Sequence, residues 1–371
     1  MSDDILEQRP WIVIVGGFLG SGKTSLILSA ARLLEKRGLR CAVIMNDQGV
    51  ELVDTRHAET EGVLAREVTG GCFCCRFSEL ASKIEELRAQ VVDVIFAEPV
   101  GSCTDISATV FGPLREEFDR YRIAPFTVLV DPSRAAELRG EDADSPLAFL
   151  FQKQLQEADL VCMTKADIYP DATGLPGIEA RFVSAKSGQG VAEWLDEILS
   201  GSMDAGKITL EIDYAQYARA EAALAWLNLS LTLEPALPAS PALAIGPFFD
   251  GLQDALTNAG ISIAHLKVFD RSPTGWLKVA VTTNGEEPAV EGDLDASPAD
   301  RHELLVNLRA KGDPAEVQNL VEGQLRKLEG RKLDMKLNCF SPAPPKPERR
   351  VARAPLSGAK ARTQFSLDSE A

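Results

Sequence analysis

"GFLGSGKT", Gly17–Thr24, decides the fold. It fits G-x-x-x-x-G-K-[ST] at every fixed position. The apolar run "WIVIV" (11–15) precedes it, and "TSLILSAARLLEKRG" (24–38) follows at helical spacing and stops at Gly38. A strand, a glycine loop and a helix in this order make a phosphate cradle. Glycines let backbone N–H groups close around phosphate oxygens with no Cβ in the way. The helix N-terminus adds the positive end of its dipole. Lys23 can reach the β- and γ-phosphates, and the Thr24 hydroxyl can ligate Mg²⁺. Gly17, Gly20, Ser21, Gly22 and Ser25 complete the expected nucleotide-binding set. A glycine turn with an incidental lysine fits the flanking strand and helix poorly.

Outward from this loop, apolar runs alternate with helical patterns. "RCAVIM" (40–45), "VVDVIFAE" (91–98), "FTVLVD" (126–131), "ADLVCMTKAD" (158–167) and "RFVSAKS" (181–187) read as strands. "ELASKIEELRAQ" (79–90) and "VAEWLDEILS" (191–200) read as helices. Continuous apolar strands between helices predict an α/β fold: a mainly parallel sheet covered by helices on both faces. This P-loop NTPase domain should span 10–200, after a leader over 1–9. A linker over 201–221 should lead to a smaller α+β domain over 222–340. That domain has strand patterns at 222–234, 264–270, 275–283, 302–310 and 333–340, and helices at 248–260 and 314–330. A ferredoxin-like layer with an extra strand suits this order. The tail, 341–371, holds "PAPPKPERRVARAP" and reads as Pro-rich, basic and disordered.

Composition narrows the function classes. A chain of 371 residues exceeds one ordinary core, which agrees with two domains. The net charge of −16 disfavours nucleic acid or an anionic membrane surface as main partner. The start, "MSDDILEQRP", is acidic where a signal peptide is basic, and the apolar run after it is too short to span a bilayer. The expectation is a cytoplasmic protein. In that compartment its seven cysteines are thiols or metal ligands rather than structural disulfides.

Later motifs bear on the base and the magnesium. In "TKAD" (164–167), Asp167 can accept from the N1–H and N2–H₂ edge of guanine, whereas adenine presents an acceptor there. The Lys165 stem would lie along the base plane, with Thr164 opening the loop. "SAK", Ser184, Ala185 and Lys186, would offer a backbone N–H to guanine O6. In "FAEPVG" (96–101), Glu98 ends a strand where a Mg²⁺ carboxylate belongs, and Gly101 would let backbone approach the γ-phosphate. Asp47 in "NDQG" (46–49) is a candidate for the metal or the attacking water, with Gln48 as its alternative. Lys23, Asp47 and Glu98 form the expected catalytic group. An ATP-dependent kinase is one rival, and "TKAD" with "SAK" argues against it; a non-hydrolytic thiol module, binding metal or sensing oxidants with a nucleotide site that is only structural, is the other.

"TGGCFCCRFS" (69–78) packs Cys72, Cys74 and Cys75 into four positions. Thiolates are the binding form, and ionising three thiols at pH 7 costs roughly 6 kcal/mol. Structural zinc sites yield about 10–16 kcal/mol with that cost included. Binding of Zn²⁺ therefore outweighs the ionisation, with Co²⁺ an alternative of similar geometry. A redox device and plain packing are the other readings. Adjacent cysteines 74 and 75 make a poor disulfide. Cys41 and Cys162 lie in apolar strands and read as core, Cys103 as turn filler and Cys339 as a strand residue.

"GFLGSGKT", "EPVG" with Glu where Asp is common, and "GGCFCC" between them together resemble the CobW-like GTPases, relatives of the urease and hydrogenase nickel-insertion GTPases. The likeness covers roughly 10–200. It implies GTP/GDP and Mg²⁺ on Gly17–Thr24, Glu98, Lys165 and Asp167, and a transition metal on Cys72, Cys74 and Cys75. It also implies a client metalloprotein, cobalamin-linked in some relatives, and a homodimer is compatible with it. Two features depart from the family: Thr164 stands where Asn is usual, and the chain has only three histidines where many relatives are His-rich. Weaker guanine affinity is expected from the first. Hydrolysis should be slow, since no arginine finger is evident in the sequence.

Overall fold

The computed structural model describes residues 9–49, 52–117, 120–140 and 143–351. The leader up to residue 8 and the tail from residue 352 lie outside the described residues.

The first domain contains β1 (Trp11–Gly17), α1 (Lys23–Lys36), β2 (Cys41–Asn46), α2 (Val53–Thr60), β3 (Leu64–Val68), α3 (Phe77–Ala89) and β4 (Val94–Glu98). A π-helical turn, Ser107–Phe111, runs into α4 (Gly112–Glu117). Then come β5 (Arg122–Ile123), β6 (Thr127–Val130), α5 (Pro132–Arg139), α6 (Pro146–Glu157), β7 (Leu160–Met163), β8 (Ala180–Phe182) and α7 (Val191–Ile198). The sheet order is β3-β2-β4-β1-β6-β7-β8, with β5 beside β1, and every pairing is parallel. β1 shows why the run is unbroken. Ile12 and Ile14 join the core on one face, while Val13 and Val15 join the core on the other. The expected α/β fold is the one observed.

Sequence patterning passed over β3 and α2. β3 is a half-buried edge strand, "LAREV", and α2 is mostly polar. Neither carries the apolar signal of its neighbours, and both are formed by docking. The expected linker is also partly structured. Within it, α8 (Tyr214–Ala222) is capped by Asp213 and buries Tyr217, Ala220 and Glu221.

The second domain contains β9 (Leu224–Glu234), α9 (Pro241–Asn258), β10 (Ser262–Ser272), β11 (Gly275–Val281), β12 (Ala289–Gly292), β13 (His302–Lys311), α10 (Pro314–Lys327) and β14 (Arg331–Phe340). Its sheet order is β12-β11-β10-β13-β9-β14, antiparallel throughout. Without β11 and β12 this is the ferredoxin-like order, and that hairpin is the addition. α9 begins seven residues before the expected Phe248, because the Ser240 cap and Pro241 start it and Pro247 lies inside. A proline there removes one helix bond without ending the helix.

The domains share a core: Trp226 and Ala264 pack with residues of the first sheet. The tail also departs from expectation. Residues 341–351 lie across the first domain, where Glu348 accepts from Ser78 N–H at 2.8 Å and Arg350 pairs with Asp105 at 2.8 Å. Among the described residues no helix is long and apolar enough to cross a membrane.

Candidate nucleotide and metal site

The phosphate loop joins β1 to α1 at the carboxyl edge of the sheet. Gly17 and Gly20 hold φ of 137° and 79°, which side chains rarely tolerate. Lys23 Nζ donates to the carbonyls of Gly17 (3.0 Å) and Phe18 (3.3 Å), across the mouth of the loop. Thr24 Oγ1 donates to Glu98 Oε2 at 2.9 Å. The hydroxyl from α1 and the carboxylate from β4 therefore face each other, an oxygen pair suited to Mg²⁺. Ser21 Oγ is buried without a partner, a further polar atom left for a ligand. Glu98 is 8 % exposed, and burial pushes its pKa up, with Asp54 adding to the rise and Lys23 opposing it. Burial likewise lowers Lys23. A Cβ on Gly101 would lie 2.7 Å from Leu19 Cδ2 and 3.0 Å from Leu19 N. Gly101 thus lets the loop after β4 pack on the phosphate loop itself, a role not expected from the sequence.

The base-side loops meet as the motifs require. Ser184 Oγ donates to Asp167 Oδ1 at 2.6 Å, and Ala166 N–H donates to the Val183 carbonyl at 3.2 Å. Asp167 is exposed; Ala185 is half-buried and Lys186 exposed beside it. Lys165 has φ of 56°, and its Nζ pairs with Asp131 at 2.7 Å. Thr164 is buried and donates to the Val130 carbonyl at 3.2 Å. The hydroxyl thus ties this loop to β6.

Asp47 is engaged elsewhere than its expected role. Its Oδ1 accepts from Arg309 Nη2 at 2.6 Å and from Gly49 N–H at 2.7 Å. Arg309 comes from β13, is fully buried and stacks 4.2 Å from the Trp226 ring centroid. The second domain grips this segment at further points. Lys267 pairs with Asp54 at 2.6 Å, and Asn307 Oδ1 accepts from Val53 N–H at 2.9 Å. Thr282 closes on the phosphate loop: a Cβ on Gly20 would meet its Cγ2 at 2.7 Å.

The cysteine loop follows β3 and leads into α3. Asn46, at the end of β2, fixes it. Its Nδ2 donates to the carbonyls of Val68 and Gly71, both at 2.8 Å, and its Oδ1 accepts from Phe73 N–H at 2.8 Å. The sulfurs of Cys72, Cys74 and Cys75 all lie within 4.8 Å of one another. Their separations are 2.8 Å (72–74), 3.3 Å (72–75) and 3.7 Å (74–75). Four sulfurs around zinc at about 2.3 Å would stand about 3.8 Å apart, so the Cys72–Cys74 pair would have to open by about 1 Å, the Cys72–Cys75 pair by about half that, and the Cys74–Cys75 pair hardly at all. The cluster fits a thiophilic cation.

Cys103, on the loop after β4, is buried in the same core as Cys72 and Cys74. The thiols of Cys103, Cys74 and Cys75 converge on Cys72 and hold its pKa well below the usual value. Hydrogen bonding to Cys72 lifts Cys75 to about 11. The tail covers the outer side: Lys346 N–H donates to Cys75 Sγ at 3.1 Å, and Glu348 N–H to the Cys74 carbonyl at 2.9 Å.

Residues 11–191 match the family model described as CobW/HypB/UreG, nucleotide-binding domain. The first domain is similar to the nucleotide-binding domains of CobW-like GTPases. The chain is 29% identical over 174 residues to the zinc chaperone YjiA of Escherichia coli, covering 44% of this chain and 52% of that protein. It is 30% identical over 201 residues to the zinc chaperone CobW of a Sinorhizobium species, covering 47% and 55%. Similarity extends to the hydrogenase maturation factor HypB of Azotobacter vinelandii, 28% identical over 192 residues, covering 47% and 55%. The chain spans about half the length of these curated relatives. Among solved structures, HypB from Helicobacter pylori in complex with nickel aligns at TM-score 0.38 and 18% identity, covering 53% of this chain and 89% of that one.

Within the first domain, the structure sets Glu98 against Thr24 of the phosphate loop and, at the cysteine loop, draws the three clustered thiols together. Sequence reading missed Asn46 and Glu221. Glu221, on α8, is buried and accepts from Ser102 Oγ at 2.6 Å. Asn46 had a usable signal, an amide at the end of an apolar strand. Glu221 had none, because only the fold carries α8 to the loop after β4.

Proposed function

We propose that this CobW-like protein binds and hydrolyses GTP and couples nucleotide state to a metal ion carried on Cys72, Cys74 and Cys75. Zn²⁺ is the favoured cargo, with Co²⁺ the alternative, and the recipient is a client metalloprotein, a cobalamin-linked one being compatible with the family. The observation that carries this reading is the attachment of the cysteine loop to the strand ends around the phosphate loop. Asn46 clamps the loop to β2, beside Glu98 on β4.

In this reading Lys23 leaves its two carbonyl partners and turns to the phosphates. Thr24 and Glu98 would hold Mg²⁺, which would supply charge neutralisation to the phosphates. Asp167 selects guanine, the Ser184 hydroxyl orienting its carboxylate. Asp47, paired with Arg309, relays the state of the strand ends to the second domain rather than acting on the water directly. Coupling is reciprocal: if GTP tightens metal binding by a given factor, metal tightens GTP by the same factor.

The test measures GTP affinity with and without Zn²⁺, in wild type and in a Cys72/Cys74/Cys75→Ser protein, with ATP as competitor. We expect Zn²⁺ to shift GTP affinity about 5–150-fold in wild type only. Identical affinities in all four cases refute the coupling, and displacement of GTP by ATP at equal concentration favours a kinase-like enzyme.

A further inference from the structure

We propose that residues 344–350 form a strap across the open side of the thiol cluster, so that a bound metal ion is handed on only after the strap lifts. This rests on the reading above, that the clustered cysteines take a metal.

The composition of the strap suits this task. In 344–348, "PPKPE", the prolines leave only two backbone N–H groups, those of Lys346 and Glu348. Both are spent on the cysteine loop. Lys346 donates to Cys75 Sγ at 3.1 Å, and Glu348 donates to the Cys74 carbonyl at 2.9 Å. Pro342 and Pro345 are buried, at the spacing that returns an extended proline-rich chain to the same face. Proline also restricts the free chain, which lowers the entropy cost of laying the segment down.

The far half of the strap is anchored. α3 begins two residues after Cys75, and its own cap position, Arg76, supplies no side-chain cap. Glu348 takes that part from a distance. One of its carboxylate oxygens accepts from Ser78 N–H at 2.8 Å and from Ser78 Oγ at 2.7 Å. A carboxylate in the first turn satisfies an orphan donor and meets the positive end of the helix dipole. Arg349 pairs with Glu116 at 3.0 Å. Arg350 donates to Asp105 at 2.8 Å and to the Leu210 carbonyl at 2.7 Å. Val351 N–H donates to the Ala108 carbonyl at 2.8 Å. Gly112 makes room there, since a Cβ on it would lie 2.8 Å from the Val351 carbonyl oxygen.

The exposure of the thiols shows which side the strap closes. Cys72 and Cys74 are 2 % and 1 % exposed, whereas Cys75 is half-buried, and Lys346 sits on Cys75. An acceptor that replaces the thiolates one at a time therefore meets Cys75 first, under the strap. Each S–metal bond that breaks is replaced by a bond to the acceptor, with no change of oxidation state. The strap is held by a handful of hydrogen bonds and ion pairs, so it can open locally while the sheet stays folded.

The test uses the reduced full chain loaded with Zn²⁺ and mixed by stopped flow with an excess of chromogenic chelator. Glu348→Pro removes the N–H on Cys74 and the carboxylate on Ser78 together, and zinc should leave about tenfold faster than from wild type. Lys346→Pro, which lacks the N–H on Cys75, should release zinc faster than Lys346→Ala, which keeps it. Metal-free thermal midpoints confirm that each variant is folded. One measurement needs no variant. Hydrogen exchange of the metal-free wild type should show the Lys346 and Glu348 amides at least about tenfold slower than in a free peptide of 341–351. Equal release rates from wild type and Glu348→Pro overturn the proposal, as do amides that exchange at the free-peptide rate. Neither result touches the metal reading. No zinc bound by reduced wild type overturns that reading and the strap with it.

Discussion

The phosphate loop and the thiol cluster lie at the same edge of one sheet but are built in opposite ways. The phosphate site is one contiguous turn, and its polar atoms are largely backbone, held open by glycines at positive φ. The thiols lie in one short loop, but the groups that hold that loop are gathered from segments far apart: Asn46 at the end of β2 and the backbone of the tail. The contrast has a physical basis. Phosphate oxygens need many N–H donors converging from one curved stretch of chain. A soft cation needs few ligands in a tetrahedron, which the fold can supply from any direction. The contiguous site should therefore fail through its own residues, and the gathered site through its supports.

The largest expected effect concerns the loop after β4, where Glu157 accepts from Thr104 Oγ1 at 3.0 Å and from Ser107 N–H at 3.1 Å. Burial, with Asp105 adding, pushes the Glu157 pKa up to about 8. A carboxyl raised from about 4.5 binds its proton in the folded state only, so its stabilising effect is lost as pH rises through that window. Glu157→Gln keeps a neutral donor and acceptor for Thr104 and Ser107 at every pH. It should match wild type near pH 4 and be more stable above pH 8 by a few kcal/mol. Denaturant midpoints at both pH values check this, and an equal difference at the two would mean that Glu157 is ionised in the fold.

Next, Lys23→Ala should weaken GTP by about 100-fold, because the ammonium is the charged donor at the heart of the cradle and alanine supplies none. Metal binding measured without nucleotide should persist. Failure of both would merge the two sites into one unit and break the comparison.

The smallest effect sharpens it. Asn46→Ala removes three hydrogen bonds that hold the cysteine loop. Some of those partners will find water, so we expect about a tenfold loss of zinc affinity. Metal-free GTP binding should change far less, measured by the same titration. Equal losses would place Asn46 in the nucleotide site.

Legibility followed the same division. "GFLGSGKT", "EPVG" and "TKAD" were readable because each function is carried by neighbours in sequence, framed by apolar strands that must be buried on both faces. β3 and α2 were not readable, since "LAREV" and "VDTRHAET" owe their conformation to the sheet and second domain they rest on. Asp47 was read as facing the nucleotide, and nothing local to it announces Arg309. The pairing arises because β13 enters the second sheet with its guanidinium pressed on Trp226. The proline-rich start of the tail looked free in composition, yet its backbone N–H groups at Lys346 and Glu348 are satisfied by the cysteine loop.

By itself the sequence determined the parallel sheet, the phosphate cradle and the trio of thiols, because period, glycine placement and ligand type act over a few residues. Only the tertiary structure decided what surrounds those thiols. Asn46 and Lys346 reach their loop through chain reversals whose end points depend on packing, and packing is settled by the whole core rather than by any one stretch of chain.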